Sequence, residues 1–152
     1  IGEKYMFGMV NIDGQNYVER FVALPHDEVI TAANVVLTGR RLVLPGVAPF
    51  VLKGIARESI AAGVIVARRF RFKFGNTDGG TWYSMSGIGG LNDRVVDTMI
   101  FGSGQFPFPI VPNIMYGSQA SITYEIEDMA AAAVPYTIHM TFYGAFLIPV
   151  AG

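Results

Sequence analysis

Two stretches near the end of the chain alternate apolar and polar residues with a period of two. Residues 120–127 place Ala, Ile, Tyr and Ile on one face, and Ser, Thr, Glu and Glu on the other. Residues 136–143 repeat the pattern with Tyr, Ile, Met and Phe on one face. Because successive side chains of a strand point to opposite faces, each stretch predicts a half-buried strand. We expect the two, within Gln119–Gly144, to fold back on each other as an antiparallel pair.

The same alternation recurs earlier in the chain and defines the fold class. Phe70, Phe72 and Phe74 are interleaved with charged residues, so this stretch predicts a strand with its phenylalanines in the core. Other short apolar runs are separated by turn signals such as Asp13-Gly14. About eight to ten strands without a long helix predict an all-β, antiparallel, jelly-roll-like β-sandwich. We expect residues 1–152 to form a single β-sandwich domain.

Several local features carry their own predictions. Pro25 is expected to close the second strand, and His26–Ala33 is the best helical candidate, as a loop or one short helix. Thr38–Arg41 reads as a turn between two apolar runs. Gly54 lies inside the next apolar run, residues 50–57, and indicates a β-bulge there.

Composition limits the classes of partner. The 152 residues carry 11 basic and 12 acidic side chains, so no overall positive field attracts polyanions, and nucleic acid is not expected as a partner. Apolar residues make up 51% and charged residues 15%, against about 45–50% and 25% in ordinary soluble domains, so some apolar surface is expected to meet partners.

Prolines interrupt the uncharged stretches, so no membrane helix is expected. Ile1 begins without a basic region or an apolar h-region, so no signal peptide is predicted.

No stretch carries a recognisable catalytic or cofactor motif, and we predict no enzyme and no cofactor. Asn76–Gly80 reads as a turn, since the acidic ligands of a calcium loop are missing. Gly87–Gly90 lacks the spacing of a phosphate-binding loop, and Ser103 lies outside a G-x-S-x-G motif. Cysteine is absent, which removes disulfides and thiolate metal sites. His26 and His139 have no evident carboxylate partner in sequence and are expected at the surface.

Two charged groups have competing interpretations. Glu125 and Glu127 share a strand face and could act as the acid and base of a glycan hydrolase, although a solvated outer face is favoured. The row Arg68, Arg69, Arg71 and Lys73 could grip phosphates, although a solvated or inter-subunit face is favoured.

Apolar segments without charge suggest where subunits touch. The prolines of Phe106–Pro112 force an extended path that crosses between sheets or lies on a partner, and the chain end is apolar and uncharged. Left in water, such segments promote aggregation. Together with the basic row, the predicted interface residues are Arg69, Arg71, Lys73, Phe106, Phe108, Phe146, Leu147 and Ile148.

Five segments between about Phe50 and Gly144 follow one another in an order that is also found in a known group of proteins. The segments are Phe70–Phe74, Asp78–Gly80, Phe106–Asn113, Ser121–Glu127 and Thr137–Gly144. This order resembles small β-sandwich structural proteins of tailed bacteriophage virions. The resemblance implies a non-enzymatic capsid-decorating, minor capsid or neck protein, which forms homo-oligomers and contacts other virion proteins. It also implies a location in the virion, assembled in the cytoplasm of the host bacterium.

A carbohydrate-binding module is the alternative. β-Sandwiches bind sugars with exposed aromatic side chains, and Trp82, Tyr83, Tyr116 and Tyr143 are the candidates for that role.

Overall fold

The computed structural model describes residues 9–46, 48–66, 68–76, 82–83, 94–103, 106–129 and 135–150. Within these ranges the chain forms β-strands and one short 3-10 turn, Asp97–Met99. The strands are β1 (Met9–Ile12), β2 (Gln15–Ile30), β3 (Val36–Val43), β4 (Phe50–Ala61), β5 (Val64–Ile65), β6 (Phe70–Asn76), β7 (Trp82–Tyr83), β8 (Val95–Val96), β9 (Phe108–Tyr116), β10 (Ser121–Asp128) and β11 (Tyr136–Pro149).

The strands form two antiparallel sheets. Sheet A has the order β1-β2-β11-β4, and both β5 and β9 pair with the far side of β4. Sheet B has the order β3-β10-β6-β7, and β8 also pairs with β6. Apart from β1, β5 and β8, the strands therefore follow the orders β2-β11-β4-β9 and β3-β10-β6-β7, the arrangement of a jelly roll. The prediction of an all-β, antiparallel, jelly-roll-like sandwich is confirmed, with eleven strands described, of which β5, β7 and β8 have two residues each.

The predicted pairing of the two alternating stretches is wrong. β10 lies between β3 and β6 in sheet B, whereas β11 lies between β2 and β4 in sheet A. Both strands do turn their apolar face inward, with Ile122, Tyr124 and Ile126 on one and Tyr136, Ile138, Met140 and Phe142 on the other. Alternation reports which face of a strand is buried, and these two strands bury that face in one core from opposite sides.

The second strand is much longer than predicted. β2 continues through Pro25 to Ile30, so His26–Ile30 is strand and pairs with Met140–Tyr136 of β11. In the described part of the chain, β1 covers β2 only along Gln15–Val18. A strand with a neighbour on one side accommodates proline, because every second N–H points away from that neighbour. The predicted loop or short helix at this position is therefore corrected to strand.

Turns and bulges fall partly where the sequence indicates. Asp13 and Gly14 have φ of +51° and +84° and form the hairpin turn between β1 and β2, as predicted. The bulge at Gly54 is confirmed, since the register against Tyr143 and Gly144 shifts there. The turn predicted at Thr38–Arg41 is instead a bulge within β3, with Gly39 at a φ of +65° and a register shift opposite β10.

The core lies between the sheets and is rich in aromatic side chains. Phe70, Phe72 and Phe74 are fully buried, as predicted. The ring of Phe72 stacks on that of Tyr124, with 5.6 Å between centroids, and meets the ring of Phe101 edge-on at 4.7 Å. These contacts join β6, β10 and the segment after the 3-10 turn into one packed centre.

The proline-rich segment belongs to sheet A. Phe108 and Pro109 pair with Ile55 and Gly54, and Ile114–Tyr116 pair with Leu52–Phe50, while the four residues between these parts are out of register with β4. The extended path predicted for this segment is confirmed. It runs along the edge of one sheet and does not cross between the two.

Candidate functional site

The outer face of sheet B carries a ladder of ion pairs. Glu127 lies opposite Arg71 in the strand register, and Glu125 lies opposite Lys73. The Arg71 guanidinium is 2.6 Å from Glu127, and the Lys73 ammonium is 3.7 Å from Glu125. Arg94, which sequence reasoning did not single out, bridges both carboxylates at 2.6 and 3.3 Å. The positive charges of Arg71, Lys73 and Arg94 are thus matched by the two carboxylates of β10.

The expectation of a solvated or inter-subunit face for the basic row is corrected at Lys73 alone, since Arg69 and Arg71 are exposed. The side chains do point away from the phenylalanine core, as predicted, but Lys73 is only 2% exposed and Arg94 is also buried. A buried cation is stable only when it is paired, and the carboxylate of Glu125 supplies that pairing for both side chains. Glu125 and Glu127, the residues considered for glycan hydrolysis, are held in the same network.

Arg69 takes part in a second buried charge cluster. Asp97, on the 3-10 turn, is fully buried and accepts hydrogen bonds from Arg57 and from Arg69 Nε, the latter at 3.0 Å. Arg69 also donates to the Thr98 hydroxyl at 3.0 Å. Arg57 belongs to β4 in sheet A, and Arg69 directly precedes β6 in sheet B. Asp97 therefore ties the two sheets together at one side of the sandwich.

The apolar residues predicted at an interface are distributed unevenly. Phe106 is 73% exposed, whereas Phe108 is half-buried and packs against the core. Phe146 and Leu147 are buried within the subunit, and Ile148 packs partly against the core. The reason is that β11 continues to Pro149 through the middle of sheet A, so the segment predicted to meet a partner packs within its own subunit.

A polar cluster joins the sheets at the opposite side, where β2 faces β3 and β10. Tyr124 donates its hydroxyl hydrogen to Glu28 at 2.6 Å, and the same hydroxyl is 2.8 Å from His26 Nε2. Arg40 of β3 lies 3.6 Å from the other oxygen of Glu28. Burial, reinforced by the hydrogen bond to Glu28, raises the pKa of Tyr124. The surface position predicted for His26 is corrected, since its ring is partly buried in this cluster.

A row of three polar residues crosses the outer face of sheet A. His139 of β11 lies between Asp27 of β2 and Glu58 of β4 in the strand register. His139 Nδ1 is 2.6 Å from Asp27 Oδ1, so the prediction that this histidine has no carboxylate partner is wrong. The two residues are 112 positions apart in sequence, which is why local spacing gave no sign of the pair.

One depression adjoins this row, and a second lies further along β11. One, of about 240 Å³, is lined by Ala56, Arg57, Glu58, Ser103, His139 and Thr141. The other, of about 290 Å³, is lined by Phe21, Val22, Ala23, Lys53, Tyr143 and Gly144. Thr141 and Tyr143 point to the same face of β11, so the two depressions follow one another along it.

The aromatic residues considered for sugar binding have different positions. Tyr116 is buried and donates its hydroxyl hydrogen to the Gly75 carbonyl at 3.2 Å, so it is not available as an exposed platform. Tyr143 is half-buried at the rim of the second depression. The side chains of Trp82 and Tyr83, and the predicted loops at residues 77–80 and 87–90, lie outside the described part of the structure.

Neither a metal-binding group nor a membrane-spanning helix occurs among the described residues. No three His, Asp or Glu side chains among them are arranged to hold a metal ion. None of the helical structure in the described ranges has the length and apolar character needed to cross a membrane.

Comparison of the chain with protein-family models, with curated proteins and with solved structures found no match.

Proposed function

We propose that the chain is a non-enzymatic structural protein of a bacteriophage virion, a capsid-decorating, minor capsid or neck component that acts through subunit contacts. The jelly-roll strand order supports this proposal, because viral capsid proteins are among the classes that use this architecture. Lectins and cupins use it as well, so the fold alone does not decide the function. The sequence resemblance over residues 50–144 favours the virion among these classes.

The observation that carries the proposal is a set of exposed valines on the two strands at one side of the sandwich. Val29 on β2 and Val36 and Val43 on β3 are all exposed. β2 and β3 face each other at that side through the ion pair of Glu28 with Arg40. Apolar β-branched side chains on an outer strand favour pairing with another chain. We infer that this side of the sandwich meets a neighbouring subunit.

The ion pairing of the buried and half-buried carboxylates supports a structural role. Glu125, Glu127 and Asp97 are each bound by at least two cations, and these contacts join strands or sheets. Carboxylates engaged in this way fix the positions of structural elements. Their arrangement serves the rigidity that a subunit needs when many copies must fit together.

A matched pair of variants tests the valine contact. Val43 is 65% exposed on β3, at one end of sheet B, and Val64 is 64% exposed on β5, which pairs with β4 in sheet A. Val43→Lys should lower the native mass in solution, because a lysine on an outer strand opposes strand pairing, whereas Val64→Lys should not. Equal loss of assembly in both variants, or in neither, would contradict the assignment of this surface.

The virion assignment has a separate test. Particles purified from cells infected by the phage that encodes this chain should contain it, in copy number consistent with a ring or a capsid lattice. Quantitative mass spectrometry of the particles and immunogold labelling give that copy number and position. Absence of the chain from purified particles would overturn the proposal.

A further inference from the structure

We propose that the outer face of sheet A binds a neutral oligosaccharide in a furrow formed by the two depressions along β11. The furrow includes His139, Thr141 and Tyr143 of β11, Phe21 of β2, Glu58 of β4, and Ser103. This activity is separate from the subunit contacts proposed above, and neither depends on the other.

The furrow follows Thr141 and Tyr143, which line the two depressions along β11. Thr141 lies opposite Ala56 in the register of β11 and β4, and Tyr143 lies opposite Gly54 and, on its other side, Ala23. Ala23 is exposed beside Tyr143, whereas Ala56 is buried and the space beside Gly54 is occupied by Pro107 and Phe108. From His139 to Tyr143 the strand advances about 13 Å, at about 3.3 Å per residue. The furrow is therefore long enough for more than a single sugar ring.

One end of the furrow presents polar groups in a fixed orientation. Asp27 holds His139 Nδ1 at 2.6 Å, which directs the opposite ring nitrogen away from the carboxylate and leaves it for a ligand. Glu58 is exposed beside it, and the Thr141 and Ser103 hydroxyls line the same depression. Hydroxyls both donate and accept, the carboxylate offers lone pairs, and an imidazole nitrogen donates or accepts according to its protonation. Such a set matches the many hydroxyl groups of a sugar.

The other end presents aromatic and apolar surface. Phe21 is exposed and Tyr143 is half-buried, and both line the second depression. Lys53 Nζ lies 4.9 Å from the Phe21 ring centre and is held by Glu19 at 2.8 Å. Aromatic side chains supply rigid apolar area against which the C–H face of a sugar ring packs, while polar groups fix its orientation.

The charges near the furrow favour a neutral ligand. The cations Lys53 and Arg57 are engaged by Glu19 and Asp97, so an anionic ligand would meet the carboxylates of Asp27 and Glu58 without a matching cation. A purely apolar ligand would remove water from Glu58 and His139. The hydrogen bonds that these side chains make to water would then be lost and not replaced. A neutral polyhydroxylated ligand satisfies both ends of the furrow.

The test is binding of the purified protein to an array of neutral glycans, followed by calorimetric titration of the best glycan. Tyr143→Ala, Phe21→Ala and Thr141→Ala should each weaken binding by about ten-fold or more. The matched control is Thr123→Ala, on the outer face of sheet B, which should leave the dissociation constant unchanged. Phe21 is exposed, so its variant keeps the test valid if Tyr143→Ala fails to fold.

Three results would overturn this inference. They are no binding to any neutral glycan, binding that all three furrow variants leave unchanged, and binding confined to acidic glycans or to basic peptides. Assembly is read separately, from the native mass of the valine variants, which lie outside the furrow. Loss of glycan binding with assembly retained, or the reverse, therefore distinguishes failure of one proposal from failure of the other.

Discussion

Tyr124 of sheet B donates its hydroxyl hydrogen to Glu28 of sheet A across 2.6 Å, and its own ring is completely buried. The bond closes one side of the sandwich, while Asp97, bound by Arg57 and Arg69, closes the other. Each tie is a buried side chain, Tyr124 or Asp97, that is bound by a residue of sheet A. The faces of the sandwich are therefore fixed relative to each other at both sides, as a subunit with defined contact surfaces requires.

Tyr124→Phe should lower the free energy of unfolding by about 1.5–3 kcal/mol, the range for a hydrogen bond to a charged group. The substitution keeps the ring contact with Phe72 and removes only the hydroxyl, which leaves Glu28 without that donor. Urea denaturation followed by circular dichroism measures the change. Tyr17→Phe, at a half-buried position on β2, is the control and should stay within about 0.5 kcal/mol of the parent chain. Equal stability of the two variants would show that the Tyr124 bond does not stabilise the fold.

Asp97→Asn should be more damaging than a comparable change at the surface. The amide keeps the shape but removes the charge that two arginines face, and we expect a loss of about 2–4 kcal/mol. Asp27→Asn, at an exposed carboxylate paired with His139, should change stability by less than about 1 kcal/mol. Thermal unfolding of both variants gives the comparison, and a smaller loss at Asp97 than at Asp27 would contradict the role of Asp97 as a tie between sheets.

Phe72→Ala should cost about 3–5 kcal/mol, since it removes a fully buried ring at the centre of the core. Phe106→Ala is the matched control, because the same side chain there is mostly exposed and should change stability by less than about 0.5 kcal/mol. Chemical denaturation measures both. A loss below about 1 kcal/mol at Phe72 would mean that the strand phase of β6 is wrong.

Stability should fall steeply in alkaline solution. Burial raises the pKa of Tyr116, and burial together with a carboxylate hydrogen bond raises that of Tyr124 and Tyr136 above the ordinary value of 10.0. The folded chain thus holds these three phenolic protons more tightly than the unfolded chain does. Their contribution is complete below about pH 10 and is lost as the pH rises above it.

Each of these groups lowers the free energy of unfolding by about 1.4 kcal/mol per pH unit above pH 10, and three together by about 4. Absorbance of the phenolate should rise in the same transition in which the circular dichroism of the sheets is lost. Tyr116→Phe should reduce the slope of stability against pH by about a third. Ionisation of all tyrosines before any loss of structure would contradict the burial of these hydroxyls.

The sequence allowed the buried faces of strands to be predicted, but not their partners. Phe70, Phe72 and Phe74 alternate with charged residues, and such alternation depends only on which face meets the core. Pairing depends on long-range connections, so two strands with similar patterns, β10 and β11, were assigned to one hairpin although they lie in different sheets. The length of β2 was missed because Pro25 and mixed polarity obscured its period of two.

The candidate sites were less accessible to sequence reasoning. His139 and Asp27 become neighbours only because β2 and β11 pair along their lengths. Glu125 and Glu127 share the period of two of Arg71 and Lys73, and this match is the sequence signal for their cross-strand pairing. Arg94 gave no such signal, because it precedes a strand of only two residues.

The measurement that tests the central claim most directly is the native mass of the purified chain by sedimentation equilibrium across a dilution series. We predict a closed oligomer that persists on dilution and that Val43→Lys dissociates, while Val64→Lys leaves it intact. A monomer at every concentration, folded and soluble without any tendency to associate, would contradict the account of this chain as a subunit that acts through contacts with its own copies.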